Sequence, residues 1–277
     1  MVFSQPDSPN PYILGHANEE LERLISQGQF LGDLTAHFLR LAGLQPGMRV
    51  LDVGCGAGDV SFIAASIVGS AGHVTGIDRS PDSIALASQR AAAAALSNVR
   101  FVVGDAVDLT PDEPVDAVVG RLVLMYFREP AAVLRRLSSL VKPGGIVTFQ
   151  DFDLTAPKSE PRCPLFETAI ERLRETFTRA GADDRMGLKL GRVFEDAGLP
   201  TPRMLLGARV ERGPDSMLYD LVTQITRTLL PLMEKTGVAT AEAVSIDTMA
   251  DRLREEALTQ RATLVAPSLI AAWTQKP

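Results

Sequence analysis

The chain has 277 residues, of which 45% are hydrophobic and 22% charged, so it can bury a sizeable core in one large domain or in a domain with a cap. Its formal net charge is −6 with no block of basic residues, which argues against a nucleic-acid partner. Its two cysteines, Cys55 and Cys163, build neither a disulfide framework nor a zinc-ligand pattern. Because the proline-rich start has no signal-peptide pattern and no apolar run approaches the ~20 residues that span a bilayer, we expect a cytoplasmic protein without a membrane partner.

Residues 1–44 are predicted to form a loose arm followed by cap helices. Prolines at positions 6, 9 and 11 favour an open arm. From Asn18 onward the pattern is helical, because Asn18 can cap, two glutamates occupy the first turn, and apolar residues recur at helical spacing. Gly28 and Gly32 predict a break within this helical stretch.

Residues 45–153 alternate between short apolar strands and helices. The strand segments are MRVLDV, HVTGID, VRFVVGD, VDAVVGR and IVTFQDFD; the helical segments are GDVSFIAASIVG, SPDSIALASQRAAAAAL and EPAAVLRRLSSLVKPGG. The alternation predicts an α/β fold, a parallel sheet with helices on both faces. Such a sheet binds ligands beyond the carboxyl ends of its strands. That rule places these residues along one rim: Gly54, Asp78, Asp105, Arg121 and Asp151.

Residues 154–277 are predicted to complete the core. Two helical segments, CPLFETAIERLRETFTRAG and KLGRVFEDAG, precede two strand segments, PRMLLGARVERG and TLVAPSLIAAWTQKP. A helical stretch of about 214–262 is inserted before the last strand. Its apolar residues at helical spacing are Met217, Leu218, Leu221, Ile225, Leu229 and Leu232. This stretch is either a helix packed on the domain or a lid that roofs a pocket together with the N-terminal segment.

The stretch VLDVGCGAGDV, residues 50–60, turns from the first strand into a helix through Gly54, Gly56 and Gly58, which permit close approach of a ligand. A dinucleotide fold uses G-x-G-x-x-G with the pyrophosphate at the helix N-terminus. Here Asp59 replaces the last glycine, and Asp52 precedes the first by two residues. Carboxylates would repel a pyrophosphate but suit S-adenosylmethionine (SAM), whose sulfonium and ammonium outweigh its single carboxylate. A purely structural turn is the alternative.

Two further carboxylates end neighbouring strands. Asp78 follows the second strand at about the distance expected of a ribose-binding acid, and it could accept from both ribose hydroxyls. Its alternative role is a helix cap before Pro81. Asp105 follows the third strand, where it could accept from the adenine amino group or act as a turn aspartate. Together with the glycine loop, these strand-end acids favour an adenosine-containing ligand.

Residues 50–153 resemble the class I SAM-dependent methyltransferases. The matching pieces are VLDVGCGAGD, GIDRS, VRFVVGDA, VDAVVGRLVLMYF and LVKPGGIVTFQDFD. The segments YILGHANEELERL and LIAAWTQKP resemble, more loosely, a bacterial small-molecule subgroup. The resemblance implies a Rossmann-like sheet in which residues 45–153 bind SAM.

The resemblance also implies roles for individual residues. Asp52 and the three glycines would contact the methionyl end, and Asp78 the ribose. Asp105 and Ala106 would contact adenine. Arg79 would lie beside adenine; its alternative role is a solvated side chain. Arg121 would lie near the methionyl group through its carbonyl or its charge. In the N-terminal segment, which often closes over SAM in related enzymes, Tyr12 and Gln27 are candidate contacts; the alternative is packing of the tyrosine and a surface glutamine.

The residues that perform methyl transfer are less defined. Positioning supplies much of the catalysis of an in-line displacement, and a base helps when the acceptor carries a proton. His16 is the best-placed histidine to act as that base, and Tyr126 and Asp151 are candidate acceptor contacts; helix packing and helix capping are their alternatives. No cluster of acids or histidines predicts a metal site.

The sequence therefore predicts transfer of a methyl group from SAM to a small, partly apolar metabolite. A SAM-binding protein that does not transfer methyl groups, such as a cyclase, is the first alternative. An NAD-dependent oxidoreductase is the second, and Asp52 and Asp59 argue against it.

Overall fold

The structure, a computed structural model, describes residues 18–109 and 113–277, with side chains from Arg23 onward in those ranges. The strands are β1 Arg49–Val53, β2 His73–Asp78, β3 Val99–Val103, β4 Val115–Arg121, β5 Val141–Asp153, β6 Lys158–Glu160, β7 Arg203–Gly207, β8 Val210–Glu211, β9 Thr263–Val265 and β10 Ser268–Gln275. The helices are α1 Asn18–Ala42, α2 Asp59–Val68, α3 Pro81–Ala93, α4 Pro130–Ser139, α5 Pro164–Arg179, α6 Met186–Asp196, α7 Met217–Thr236, α8 Ala241–Val244 and α9 Met249–Thr259. Among the described residues, no helix combines the length and the apolar character needed to cross a membrane.

A seven-stranded sheet in the order β3-β2-β1-β4-β5-β10-β7 forms the centre of the molecule. Strands β1 to β5 run parallel, and β10 lies antiparallel between β5 and β7. Because the carboxyl ends of β1, β2, β3 and β4 lie at one edge, the groups that follow these strands meet there. The expectation of a Rossmann-like sheet with helices on both faces is confirmed.

Helices cover both faces of this sheet. Because successive side chains of a strand point to opposite faces, neighbouring residues belong to different cores. On β4, Val118 belongs to the larger apolar core with residues of α4, α5, α6 and α7. Its neighbour Val119 belongs to a second core with Leu39 of α1 and Ala64 of α2. Both faces of the central strands are therefore buried.

The N-terminal helical stretch is continuous, so the predicted break near Gly28 and Gly32 is wrong. A single helix, α1, runs through both glycines. A Cβ added at Gly28 would lie 2.2 Å from Cγ of Asp59, whereas one at Gly32 would meet nothing within 4 Å. Gly28 thus serves a close packing contact and does not interrupt the helix.

The segments after residue 153 are divided more finely than the sequence predicts. PRMLLGARVERG separates into β7 and β8, and TLVAPSLIAAWTQKP separates into β9 and β10. A second sheet in the order β6-β9-β8 joins the short strands. Helices α7, α8 and α9 lie between β8 and β9, which agrees with the predicted helical insertion.

Candidate active site

The glycine loop connects β1 to α2 in a conformation that suits glycine. Gly54, Gly56 and Gly58 have φ angles of +64°, +52° and +90°, in the left-handed region that other residues rarely adopt. A Cβ on Gly54 would also lie 2.7 Å from Cγ2 of Val123. The loop therefore brings bare backbone to the rim where β1, β2 and β4 end.

Asp52 lies buried beneath this loop. Its Oδ2 accepts a 2.6 Å hydrogen bond from Oγ of Ser61, while Oδ1 has no hydrogen-bond partner among the described residues. The pKa of Asp52 is raised to about 7, chiefly by burial; the Ser61 hydrogen bond and the charge of Arg121 oppose this shift, and the charges of Asp78 and Asp59 add to it. The region around the loop thus contains several carboxylates, and one carboxylate oxygen of Asp52 lacks a hydrogen-bond partner among the described residues.

Asp78 ties the second strand to the glycine loop. Its Oδ2 accepts from the backbone N–H of Gly56 at 2.9 Å, and its Oδ1 accepts from that of Ser80 at 2.9 Å. Capping of α3 falls to Ser80, whose hydroxyl accepts from the N–H of Ser83. An ionised carboxylate has about four lone-pair sites, so Asp78 retains capacity for ligand hydroxyls.

Asp105 and Arg79 face each other at the next strand ends. Nε of Arg79 lies 3.3 Å from Oδ2 of Asp105, and Oδ1 of Asp105 accepts from the N–H of Val107 at 3.1 Å. The turn role and the position on the rim thus occur together. Asp105, Arg79 and Ala106 all line the cavity described below.

Arg121, at the end of β4, connects the rim to the N-terminal helix. Its Nη1 donates to Oγ1 of Thr35 on α1 at 2.9 Å. Burial lowers the pKa of Arg121, and the carboxylates of Asp59 and Asp52 oppose that shift. Arg121 thus places a guanidinium among these acids, where a ligand carboxylate could meet it.

The strand-end groups described above, except Asp52, line a cavity of about 500 Å³, in which we distinguish a half around the glycine loop and an apolar half. The loop half is lined by the polar and glycine-loop residues Gly54, Cys55, Gly56, Ala57, Asp59, Asp78, Arg79, Ser83, Gly104, Asp105, Ala106 and Arg121, and by the apolar residues Val53, Val60, Ile77, Leu122 and Val123. The apolar half is lined by Met125, Tyr126, Phe127, Phe152, Leu154, Ile170, Leu173, Phe177, Leu218, Leu221, Val222, Ile225 and Pro267. Helix α1 adds a wall composed of Arg23, Leu24, Gln27, Phe30 and Leu31.

The structure brings together most, but not all, of the residues predicted for the site. Gln27 and Tyr126 line the cavity. Tyr12 and His16 lie outside the described residues. Asp52 is not one of the lining side chains; it lies behind the loop, although its neighbour Val53 does line the cavity.

The placement of Asp151 as an acceptor contact needs correction. Phe152 lines the cavity, and successive side chains of β5 point to opposite faces, so Asp151 lies on the other face. Asp151 is fully buried, and among the described residues neither carboxylate oxygen has a well-formed hydrogen bond. Burial raises the pKa of Asp151 well above its usual range, although the backbone N–H groups of Leu124 and Met125 oppose the shift.

Sequence reasoning did not select several lining residues. The spacing of the glycines already places Asp59 beside the loop, but the resemblance assigned it no contact with the ligand. Cys55 lies within the loop itself. The α5 residues Ile170, Leu173 and Phe177 carry a helical apolar spacing, but that signal is the same for a core helix.

The fold, the glycine loop and the strand-end acids together define a class I SAM-dependent methyltransferase. The family model described as "Methyltransferase domain" matches residues 44–198, more than half of the chain. The chain belongs to this family, whose class I members use SAM as the methyl donor.

Named relatives match the chain over part of their length. An arsenite methyltransferase of Halobacterium salinarum is 35% identical over 48% of this chain and 34% of its own length. A 2-phytyl-1,4-naphtoquinone methyltransferase of Synechococcus elongatus is 38% identical over 41% of this chain and 49% of its own length. The chain thus spans at most about half the length of these relatives. The solved structure of YjhP from E. coli shares the fold, with a TM-score of 0.57 and 20% identity over 96% of this chain and 100% of that one.

Proposed function

We propose that this protein transfers the methyl group of SAM to a small, neutral, largely apolar metabolite and releases S-adenosylhomocysteine (SAH). The observation that carries the proposal is a cavity in which an acid-rich glycine loop adjoins a compartment of apolar side chains. A cytoplasmic location remains part of the proposal.

The loop half suits SAM because its charge and its bare backbone suit a cationic nucleoside. Asp52, Asp59 and Asp78 surround the loop; Arg121 lies near Asp52 and Asp59, and Arg90 is paired with Asp59. A sulfonium and an ammonium would relieve the unfavourable burial of Asp52, whereas a pyrophosphate would worsen it. The same charges disfavour NAD.

Roles in the loop half follow from the positions of the groups. Asp78 would accept from the ribose hydroxyls, and Asp105 with Ala106 and Arg79 would hold adenine. The glycine backbone would contact the methionyl chain, whose ammonium Asp52 attracts from beneath. Arg121 would meet the ligand carboxylate, and Gln27 would contact the ligand from α1. Tyr12 remains a candidate contact outside the described residues.

The apolar half indicates the chemistry of the acceptor. A charged molecule would lose its hydration among these carbon side chains without gaining partners, whereas an apolar ring or chain would be stabilised by about 25 cal/mol per Å² buried. The substrate named for the naphtoquinone relative fits this surface better than arsenite does. Tyr126 carries a hydroxyl in this half, and we assign it an acceptor contact.

Catalysis would rest mainly on positioning. SAM supplies an activated methyl group when bound; the protein's residues hold the acceptor in line and exclude water. Helix α7 contributes Leu218, Leu221 and Ile225 to the cavity wall, which supports its role as a roof. His16 remains the candidate base if the acceptor must lose a proton.

Methyl transfer from radiolabelled SAM tests the proposal. The acceptors are paired: neutral apolar phenols and hydroquinones, each with a carboxylated analogue of similar size, and arsenite. We expect labelled product from apolar members and little from their charged partners. In parallel, calorimetry measures the binding of SAM, SAH and NAD. Tight NAD binding with no SAM or SAH binding would overturn the assignment.

A further inference from the structure

Helix α1 approaches the glycine loop most closely at Gly28. A Cβ built on Gly28 would lie 2.2 Å from Cγ of Asp59 and 2.4 and 2.6 Å from its two carboxylate oxygens. Real Cβ atoms essentially never come this near to other heavy atoms, so any other residue would force α1 and Asp59 apart. A glycine inside a helix is unfavourable relative to alanine, and the contact with Asp59 explains why a glycine is found here.

Asp59 is fixed in place and has little freedom to move aside. It is the first residue of α2, and its Oδ1 accepts from Nη2 of Arg90 at 2.9 Å. The same guanidinium donates to the carbonyl of Ala57 and lies 5.1 Å from the centre of the Phe62 ring. The clash at Gly28 would therefore be relieved by moving α1.

Movement of α1 would change the cavity, because this helix is its wall. Leu24 and Gln27 lie within one turn of Gly28 on one side, and Phe30 and Leu31 on the other; all four line the cavity. A Cβ on Gly56 would lie 3.7 Å from Cδ1 of Leu24, so the two segments face each other across a narrow gap. The loop half is thus closed by α1 at the distance that Gly28 sets.

We infer that Gly28 is a positioning residue that seats α1 against Asp59 and so forms the wall over the SAM site. The identity of the ligand rests on the proposed function, but the packing relation between Gly28 and Asp59 does not. Substitution at Gly28 should weaken ligand binding by displacing α1, while every side chain that lines the cavity keeps its identity.

The matched pair Gly28→Ala and Gly32→Ala tests this inference by calorimetry with SAH. Both substitutions exchange a glycine for alanine inside α1, but the position of Gly32 has nothing within 4 Å. We expect Gly28→Ala to raise the Kd for SAH at least tenfold and Gly32→Ala to change it less than twofold. Unchanged SAH binding by folded Gly28→Ala would overturn the inference.

A second background separates positioning from a general loss of structure. Asp59→Ala removes the atoms that a Cβ at Gly28 would strike. In that background, Gly28→Ala should change the SAH Kd less than threefold, with circular dichroism confirming the fold. If Gly28→Ala alone does not fold, the inference is tested by comparing Asp59→Ala with the double variant. A large further loss of SAH affinity in the double variant would refute the role of the contact. Absence of SAH binding by the unaltered protein would instead refute the proposed function.

Discussion

The two halves of the cavity are built in different ways. The groups of the loop half lie at the ends of strands or in the turns and first helical turns that follow them, and all but the α1 wall comes from one stretch, residues 53–123. The apolar half is assembled from the 3-10 turn Leu124–Tyr126, the end of β5, helices α5 and α7, and the link between β9 and β10. Binding in the loop half thus depends on individual backbone positions, whereas binding in the apolar half depends on a shared surface.

This difference predicts that single substitutions in the loop half have large effects on SAM and SAH, whereas those in the apolar half have graded effects on the acceptor. It also fits a methyltransferase family in which one donor is combined with many acceptors. The donor imposes fixed contacts on the loop half, while the apolar half can be rebuilt without disturbing them.

The largest effect is expected from Gly56→Val. A β-branched residue is strained at a φ of +52°, and its side chain would enter the gap beside Leu24. We expect no measurable SAH binding by calorimetry. Gly198→Val is the matched control, because Gly198 has a φ of +83° with nothing within 4 Å and lies outside the cavity. Equal SAH binding by both variants would show that SAH binding tolerates a side chain at this position of the loop.

Asp78→Ala should have the next largest effect. It removes a carboxylate that holds the N–H groups of Gly56 and Ser80 and that we assign to the ribose. Each hydrogen bond to a charged group contributes about 1.5–3 kcal/mol, so the Kd for SAH should rise roughly tenfold to a hundredfold. Asp105→Ala should have a smaller effect, and Asp82→Ala, on the exposed start of α3, should have none. The assignment fails if folded Asp78→Ala binds SAH normally.

The loop half could be predicted from the sequence because its signals are local. The order of strand, glycine turn and helix was sufficient to place Asp78 and Asp105 on the rim. What the sequence could not decide was the face on which a strand residue lies. Asp52 and Asp151 are at the predicted rim, yet Val53 and Phe152 line the cavity. Parallel strands buried on both faces have no polar alternation that would reveal the direction of a side chain.

The apolar half could be predicted only in outline. The helical spacing of Leu218, Leu221 and Ile225 indicated an apolar face, but a cavity wall and a core contact produce the same spacing. Leu229 and Met233 of the same helix are buried in the core, so α7 fulfils both roles. The small sheet was missed because strands of two or three residues are too short for a periodic signal.

A single substitution in α7, the roof of the cavity, tests the graded response of the apolar half more sharply than deletion of the helix would, because α7 is also part of the core. We expect Ile225→Asn to raise the KM for an apolar acceptor about tenfold, since a polar amide without a partner costs about 1–3 kcal/mol in such a setting. The Kd for SAH should change less than twofold. Leu258→Asn, at an exposed position of the same insertion, is the control. Parallel losses of SAH binding and acceptor binding would contradict the division into two halves.

A further prediction concerns the stability of the protein at different pH values. The pKa of Asp52 is about 7 in the folded protein and near 3.8 when unfolded, because burial raises it. The folded state therefore holds the proton more tightly, and the free energy of unfolding should fall as pH rises from about 4 to about 7. Above that range the contribution of Asp52 should be constant. Chemical denaturation of Asp52→Asn should show a smaller decline with pH, with Asp82→Asn as the control.

The same group should produce the opposite pH dependence for binding of SAM. A cationic ligand favours ionised Asp52 and lowers its pKa, so the unliganded protein must release a proton when SAM binds below pH 7. Affinity for SAM should therefore rise as pH increases through about 7 and then level off, by at most about tenfold between pH 6 and 8. Calorimetry in buffers of different ionisation enthalpy would detect the released proton. Asp52→Asn should flatten the profile, whereas acceptor KM should not follow it. An unchanged pH profile in Asp52→Asn would show that Asp52 does not act on the donor from beneath the loop, and would leave the backbone, Asp78 and Asp59 as the groups that select the donor.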